Sequence, residues 1–264
     1  MSRIGEGFGR LDGPLFIAYL VAGDPDRNGF LAATRGLIEA GTDILEIGMP
    51  FSDPVADGPT IQRAHIRALE GGMTVDRYFE AVRDVRNASE IPILLMVYCN
   101  TVHRRGVERF YREAKDAGAD GVLIVDMPPD EGDRAVRAGR ENGMDQIFVV
   151  APSTSDERLD LIASSASGFL YLASLLGVTG ARERLSDEAS RLISLVRPHT
   201  PLPLAVGFGI SRPEHAKALK EAGANGVIVG SAIVDLVERH GRDPDRMARE
   251  IRRFVAGMRE ALEG

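Results

Sequence analysis

The sequence lacks most of what covalent or charge-driven mechanisms need. Its 264 residues include one cysteine, Cys99, which rules out an intrachain disulfide and fits a reducing compartment. No apolar run reaches membrane-spanning length, and the start MSRIGEGFGRLDGP has no signal-peptide h-region. The expected location is therefore the cytoplasm. Positive charge is in deficit: 32 Lys and Arg against 39 Asp and Glu leave a formal net charge of -7. That balance argues against nucleic acid or an anionic membrane as the main partner. An anionic small molecule remains compatible, because backbone amides and helix N-termini bind phosphate without Lys or Arg. No nucleophilic Ser or Cys motif is present. His65, His103, His199, His215 and His240 are scattered, lack ligand spacing and predict no metal site.

What is present is organised around Asp43 to Gln62, DILEIGMPFSDPVADGPTIQ. Ile44-Leu45-Glu46-Ile47 reads as a buried strand, interrupted by a carboxylate that needs a partner or a shifted pKa to sit in a core. One reading of Glu46 is a buried acid paired with a barrel Lys or Arg; the other is catalysis. Gly48 ends the strand. A loop carrying Pro50, Pro54 and Pro59 then holds Asp53 and Asp57 at low entropy cost. Thr60 reads as the N-cap of a helix from Ile61 towards Leu69.

Elsewhere one device recurs. EAGTDILEIG from Glu39, DAGADGVLIVD from Asp116 and EAGANGVIVG from Glu221 each read as helix, glycine stop, polar turn and buried strand. ENGMDQIFVV from Glu141 is a looser copy. Adding Leu15–Val21, Pro92–Tyr98, Gly121–Asp126, Ile147–Val150, Phe169–Ala173, Leu202–Val206 and Val227–Gly230 makes roughly eight strands, the number that closes a (β/α)8 barrel. Amphipathic helices are expected between them, with a closing helix over Pro244–Leu262 capped by Asp243. No linker interrupts the series, so residues 1–264 read as one TIM-barrel domain with a parallel sheet. A doubly wound open sheet is the structural alternative, weakened because no glycine fingerprint follows the first strand.

In such a barrel chemistry sits at the C-terminal strand ends. Glu46, Asp57, Tyr98, Asn100, Asp126, Tyr171 and Ser174 fall there, with Tyr98, Asn100 and Asp126 also readable as caps and turns. Three segments at the same rim suit a phosphate: GVTG (177–180), GFGIS (207–211) and GSA (230–232), with Ser231 opening a short helix. The stretch Gly177–Ser190 has the composition of a lid. Strands without Lys argue against Schiff-base chemistry, since Lys115, Lys217 and Lys220 fall on helices.

LEIGMPFSDPVADGPTIQRA is very similar, without gaps, to the signature of the tryptophan synthase alpha chain. The similarity continues from FIAYLVAGDPD through IPILLMVYCN and LGVTGAR to GSAIV. The resemblance implies a barrel that cleaves indole-3-glycerol phosphate to indole and glyceraldehyde 3-phosphate. It also implies that the indole passes to a pyridoxal-phosphate-bearing beta chain in an alpha2beta2 heterotetramer. No metal or organic cofactor is implied in this chain. By position, Glu46 resembles the family's general acid/base, Asp57 the carboxylate that meets the indole N–H, and Tyr171 a tyrosine lining the site. Gly180, Gly209, Gly230 and Ser231 match the phosphate-binding backbone, and Thr179 the lid. Tyr19, Ile61, Met96, Tyr98, Leu123, Val150 and Phe208 fall at indole-pocket positions. The sequence departs from the family in two places. Tyr19 stands where many members have Phe, and Leu175-Leu176 precede GVTG where polar residues are common.

The residues suit that chemistry in their own right. Retro-aldol cleavage needs one carboxyl that exchanges protons and one that stays ionised. Glu46, flanked by Ile44, Leu45 and Ile47, is expected to have a raised pKa, and Asp57 to remain charged. Two other functions compete: a lyase acting without a beta chain, and a non-catalytic subunit that activates a partner. Intact Glu46, Asp57 and Tyr171 count against the second. The Phe51-Ser52-Asp53-Pro54 tip has no evident core of its own and reads as an interface patch.

Overall fold

Leu15–Val21 is apolar at every position and buried at every position, as a strand covered on both faces must be. The computed structural model describes residues 2–10, 13–173, 182–207 and 209–264. In it this strand, β1, begins a closed barrel of parallel strands. The others are β2 (Ile44–Gly48), β3 (Ile93–Val97), β4 (Gly121–Ile124), β5 (Asp145–Val150), β6 (Leu170–Ala173), β7 (Leu204–Gly207) and β8 (Gly226–Val229). Each pairs with its sequence neighbours, and β8 closes on β1. The open-sheet alternative is thereby excluded.

The period of two sorts the side chains into two layers. Leu15, Ile17, Ile44, Leu94, Leu123, Ile147, Phe169 and Ile228 fill the barrel axis. Phe16, Ala18, Leu20, Leu45, Ile47 and Leu95 face out to the helices. A helix that the sequence reading missed, Arg3–Arg10, closes the N-terminal end. Its Ile4 is fully buried in the axial layer, and Phe8 packs on Phe169 at 5.5 Å between ring centroids.

The recurring helix-to-strand device works through its glycines. Gly41, Gly118, Gly143 and Gly223 all have positive φ, the left-handed conformation that ends a helix and turns the chain into the next strand. Gly41 donates its N–H to Ile38 (3.0 Å) and Thr42 to Leu37 (3.1 Å), satisfying the last carbonyls before the chain enters β2.

Several boundaries differ from expectation for local reasons. The helix after β2 is Pro59–Glu70, with Gly58 rather than Thr60 as N-cap; a proline at the first helical position loses no bond it would otherwise make. β4 stops before Asp126, whose Oδ1 accepts the Cys99 N–H at 2.7 Å and so anchors an unanticipated helix, Cys99–Arg105. Gly230 is the N-cap of helix Ser231–His240 instead of the last residue of β8. The expected lid, 177–190, is helical from Arg182 onward in Arg182–Val196, and its first part lies outside the described residues. The closing helix is Pro244–Glu263, and Asp243 caps it by accepting the Arg246 N–H. Among the described residues no helix is long and apolar enough to cross a membrane.

Asp120, just before β4, fastens the lower end of the barrel. Its nearly buried carboxylate accepts from Arg86 (2.7 Å), from Arg3 (3.1 Å) and from the Ile93 N–H (2.9 Å). Burial is the main influence on the Arg86 guanidinium and lowers its pKa. Asp120→Ala would strand that cation, and the expected loss is about 3 kcal/mol of unfolding free energy. Urea denaturation of the two proteins measures it.

Candidate active site

Glu46 is the third residue of β2, paired in register with Tyr19 of β1. It is fully buried, and neither carboxyl oxygen has a hydrogen-bond partner among the described residues. Burial first, and the nearby Asp57 second, push its pKa up to about 8. A carboxyl so placed is neutral at pH 7 and carries a proton it can give away. The salt-bridged reading of Glu46 therefore finds no support, because no cation among the described residues neutralises it.

The loop after β2 folds back over the barrel and sets Asp57 beside this acid. The Tyr98 hydroxyl donates to Asp57 Oδ2 at 2.6 Å and accepts the Ala56 N–H at 3.2 Å. Gln62 Nε2 donates to the Asp57 carbonyl at 2.8 Å. His65 Nε2 lies 3.3 Å from the same Oδ2, and its Nδ1 accepts the Phe51 N–H at 3.0 Å. The Phe51 ring stacks on Tyr98, with centroids 4.6 Å apart and planes 13° from parallel. Phe51 is thus half-buried against its own barrel, and the exposed part of the loop is Ser52-Asp53 and Val55-Ala56, with Val55 76% exposed. Phe51, expected in an exposed tip without a core of its own, packs instead on Tyr98.

Two tyrosines repeat one arrangement. Tyr19 on β1 lies across Gly48, which ends β2, and Tyr171 on β6 lies across Gly207, which ends β7; a Cβ on either glycine would overlap the ring it faces. Both phenols are buried and held far above the usual tyrosine pKa, by burial first and then by Asp57 and Glu46 for Tyr19, Glu46 and Asp57 for Tyr171. Each stays a neutral hydroxyl facing the carboxyl pair. The Tyr19 hydroxyl has no partner among the described residues.

Of the expected pocket residues, Met96 packs on the axial layer and, with Ile61, on the layer around Tyr19 above it; Leu123 lies within the axial layer. Val150 does not belong there. It packs outward with the helices, whereas Val149 packs on the axial layer; adjacent strand residues face opposite sides. Val125 and Ile228, also absent from the expected set, share the axial layer. Phe208, Thr179 and Gly180 lie outside the described residues.

Further round the rim, after β7, Gly209 has φ 71°, a conformation open to glycine at little cost. Gly230 and Ser231 open helix Ser231–His240, whose N-cap makes no side-chain bond; Ile233 donates to the Gly230 carbonyl at 2.9 Å, and the amides before it can serve an anion. The Tyr19 ring reaches from Gly48 to Gly230 and links this end to the carboxyls. Two histidines that sequence spacing left without a role prove to hold rim loops. His65 does so at Phe51, and His215 Nδ1 accepts the Ser211 N–H at 3.3 Å. Among the described residues no group of three or more His, Cys, Asp or Glu is placed to hold a metal.

A family profile described as "Tryptophan synthase alpha chain" matches residues 10–263. The chain is 52% identical to the tryptophan synthase alpha chain of Methanoregula boonei over 263 residues, covering 100% of this chain and 99% of that one. It is 48% identical to that of Methanothermobacter thermautotrophicus, covering 97% and 95%. Among solved structures, tryptophan synthase subunit alpha from Legionella pneumophila superposes with a TM-score of 0.91 at 35% identity, covering 100% and 99%. A chain of the Pyrococcus furiosus tryptophan synthase alpha2beta2 complex, solved to explain its mutual activation, gives 0.88 at 41% identity, covering 94% and 98%.

The state of Glu46 is testable through stability. Its folded pKa of about 8 lies above the ordinary carboxyl value of 4.5. The native state therefore keeps a proton that the unfolded chain releases. Stability from this group is full below about pH 4.5 and falls as pH rises towards 8, by up to about 1.4 kcal/mol per pH unit. Glu46→Gln removes that dependence. Urea denaturation at pH 5 and pH 8 should show the variant gaining on the wild type at the higher pH. A constant difference would mean Glu46 is ionised in the native state.

Proposed function

The chain belongs to the tryptophan synthase alpha chain family, and we propose that it cleaves indole-3-glycerol phosphate to indole and glyceraldehyde 3-phosphate and hands the indole to a beta chain. The observation that carries this reading is Glu46: a buried carboxyl whose pKa is raised by burial and by the nearby Asp57.

In the reaction Glu46 gives its proton to C3 of the indole. The ring nitrogen takes up positive charge, and the Asp57 carboxylate accepts its N–H. Glu46, now anionic, removes the proton from the hydroxyl on the carbon attached to the ring. That carbon–carbon bond breaks, its electron pair returns to the ring, and the oxygen becomes the aldehyde of glyceraldehyde 3-phosphate. One proton ends on C3 and one returns to Glu46, so the site is restored. Tyr171 and Tyr19 supply neutral hydroxyls beside the carboxyl pair. The apolar side of the pocket, Ile61, Met96, Leu123 and Val149, suits a flat indole ring.

The phosphate is read as resting on Gly209, Gly230 and Ser231, with Gly180 and the Thr179 lid completing the site. The supporting feature is the helix start at Ser231, whose amides and dipole favour an anion. Residues 1–264 are taken as one barrel domain working in the cytoplasm. The chain is read as using no cofactor of its own, with pyridoxal phosphate held by the beta chain of an alpha2beta2 assembly. The exposed Asp53-to-Ala56 tip is read as the surface that meets that chain.

The direct test is free indole released from indole-3-glycerol phosphate by the purified chain, with and without a beta chain. Glu46→Gln should lower kcat roughly 10²–10⁴-fold while glycerol 3-phosphate still binds, and wild-type turnover in that variant would refute the proton-transfer role. A beta chain should raise the kcat of the wild type. Asp53→Ala should blunt that rise and leave the basal rate nearly unchanged; full activation of this variant would place the contact elsewhere.

A further inference from the structure

We propose that His65 is a positioning residue for Asp57, and that through Phe51 it ties the carboxylate to the loop 50–59. The inference rests on the reading of Asp57 as the group that meets the indole N–H. His65 lies on helix Pro59–Glu70 with its side chain 2% exposed. Its Nδ1 accepts the Phe51 N–H at 3.0 Å. A nitrogen that accepts has no proton, so the neutral ring carries its proton on Nε2. That N–H stands 3.3 Å from Asp57 Oδ2 without hydrogen-bond geometry, and it has no hydrogen-bond partner among the described residues. The contact is long and imperfectly aligned, as such bonds often are before substrate binds and tightens them.

The geometry gives the contact a direction. Tyr98 and His65 both approach Oδ2, and neither uses Oδ1. One oxygen is held by the protein, which leaves the other to face a ring N–H in the pocket. A carboxylate free to rotate would present either oxygen, or neither, at the moment charge appears on the indole nitrogen. His65 therefore contributes orientation without touching the substrate.

Phe51 connects the same unit to the surface. Its amide is held by His65 and its ring by Tyr98, so this one residue touches both groups that hold Asp57. Two residues further on, the chain emerges as the exposed tip, with Val55 76% exposed. A partner pressing on the tip moves Phe51, and with it both anchors of the carboxylate. The coupling route is one loop root and two side chains long.

Three substitutions separate the two bonds. In His65→Asn the amide oxygen can still accept from Phe51, but nothing reaches Asp57. In His65→Gln the longer side chain can return an N–H to Oδ2. His65→Ala loses both. The measurements are steady-state cleavage of indole-3-glycerol phosphate with and without a beta chain, thermal melting, and binding of glycerol 3-phosphate. Expected for His65→Asn is a kcat lower by roughly 10–100-fold with KM and glycerol 3-phosphate binding near wild type. His65→Gln should recover most of that loss. In an Asp57→Asn background, His65→Asn should add little further loss. Wild-type kcat in His65→Asn would overturn the proposal. So would equal losses in the Asn and Gln variants accompanied by weaker glycerol 3-phosphate binding and lower melting, which mark a packing role. If the wild-type chain releases no indole at all, the functional reading falls and this inference with it; normal wild-type cleavage with an unaffected His65→Asn removes the inference alone.

Discussion

A carboxyl taken out of water, with no cation and no donor beside it, keeps its proton, and much of this barrel's upper end is arranged around that fact. Glu46 is fully buried and unbonded among the described residues. Its chief charged neighbour, Asp57, has the same sign and favours the protonated form further. The charged partners of the fold lie elsewhere: Arg86 and Arg3 meet Asp120 below the barrel, and Arg67 meets Asp24 outside it. Placing any of those guanidiniums beside Glu46 would stabilise the anion and remove the acid. Tyr19 and Tyr171, which face the pair, are suited to the role because they are neutral. They add hydroxyls without adding a charge that would release the proton.

The second carboxylate is treated in the opposite way, by a donor from the end of β3. Asp57 accepts from Tyr98, and its backbone is fastened by Gln62. One acid is deprived of hydrogen bonds and the other is supplied with one, eleven positions later in the sequence. That contrast is how a single site runs acid and base chemistry at one pH. The difference comes from position in the fold: Glu46 projects from a strand into the barrel, whereas Asp57 rides on a loop that brings it within reach of Tyr98.

How much of this could be read beforehand follows from the range of the interactions. The barrel was legible because its signals are local: glycine stops at Gly41, Gly118, Gly143 and Gly223, each followed by an apolar run. Glu46 was legible because one acid inside such a run is anomalous on its face. Thr60 misled, since a threonine before a helical pattern resembles a cap and the Gly58-Pro59 start is a subtler signal. Val150 misled because a strand's facing flips at every residue, so an error of one position changes sides. His65 and Phe51 were not legible as a pair. Their bond spans a proline-rich loop whose path is set by packing on Tyr98, 41 residues from the Asp57 it holds. No window of sequence contains that relation.

The helix that carries His65 has a further connection, which bears on how the site can act as a unit. Arg63 grips Glu238 with two bonds, at 2.8 and 2.7 Å, and Arg67 reaches the same carboxylate at 2.9 Å. Glu238 belongs to helix Ser231–His240, whose first turn lies at the proposed phosphate seat. Arg67 also holds the buried Asp24 with two bonds, 2.7 and 2.9 Å, just after β1. Burial raises the pKa of Asp24 and Arg67 works against that rise, so loss of Arg67 would leave a buried carboxylate without its partner. The helix after β2 is therefore fastened at one side to the β1 loop and at the other to the helix after β8. Its His65 face turns inward to Asp57. Strand order makes this possible: β1 stands between β2 and β8 in the closed barrel, so the elements bearing the carboxylate and the phosphate seat are next neighbours but one. On the proposed reading, the phosphate seat and Asp57 are therefore linked through the ion pairs of one helix.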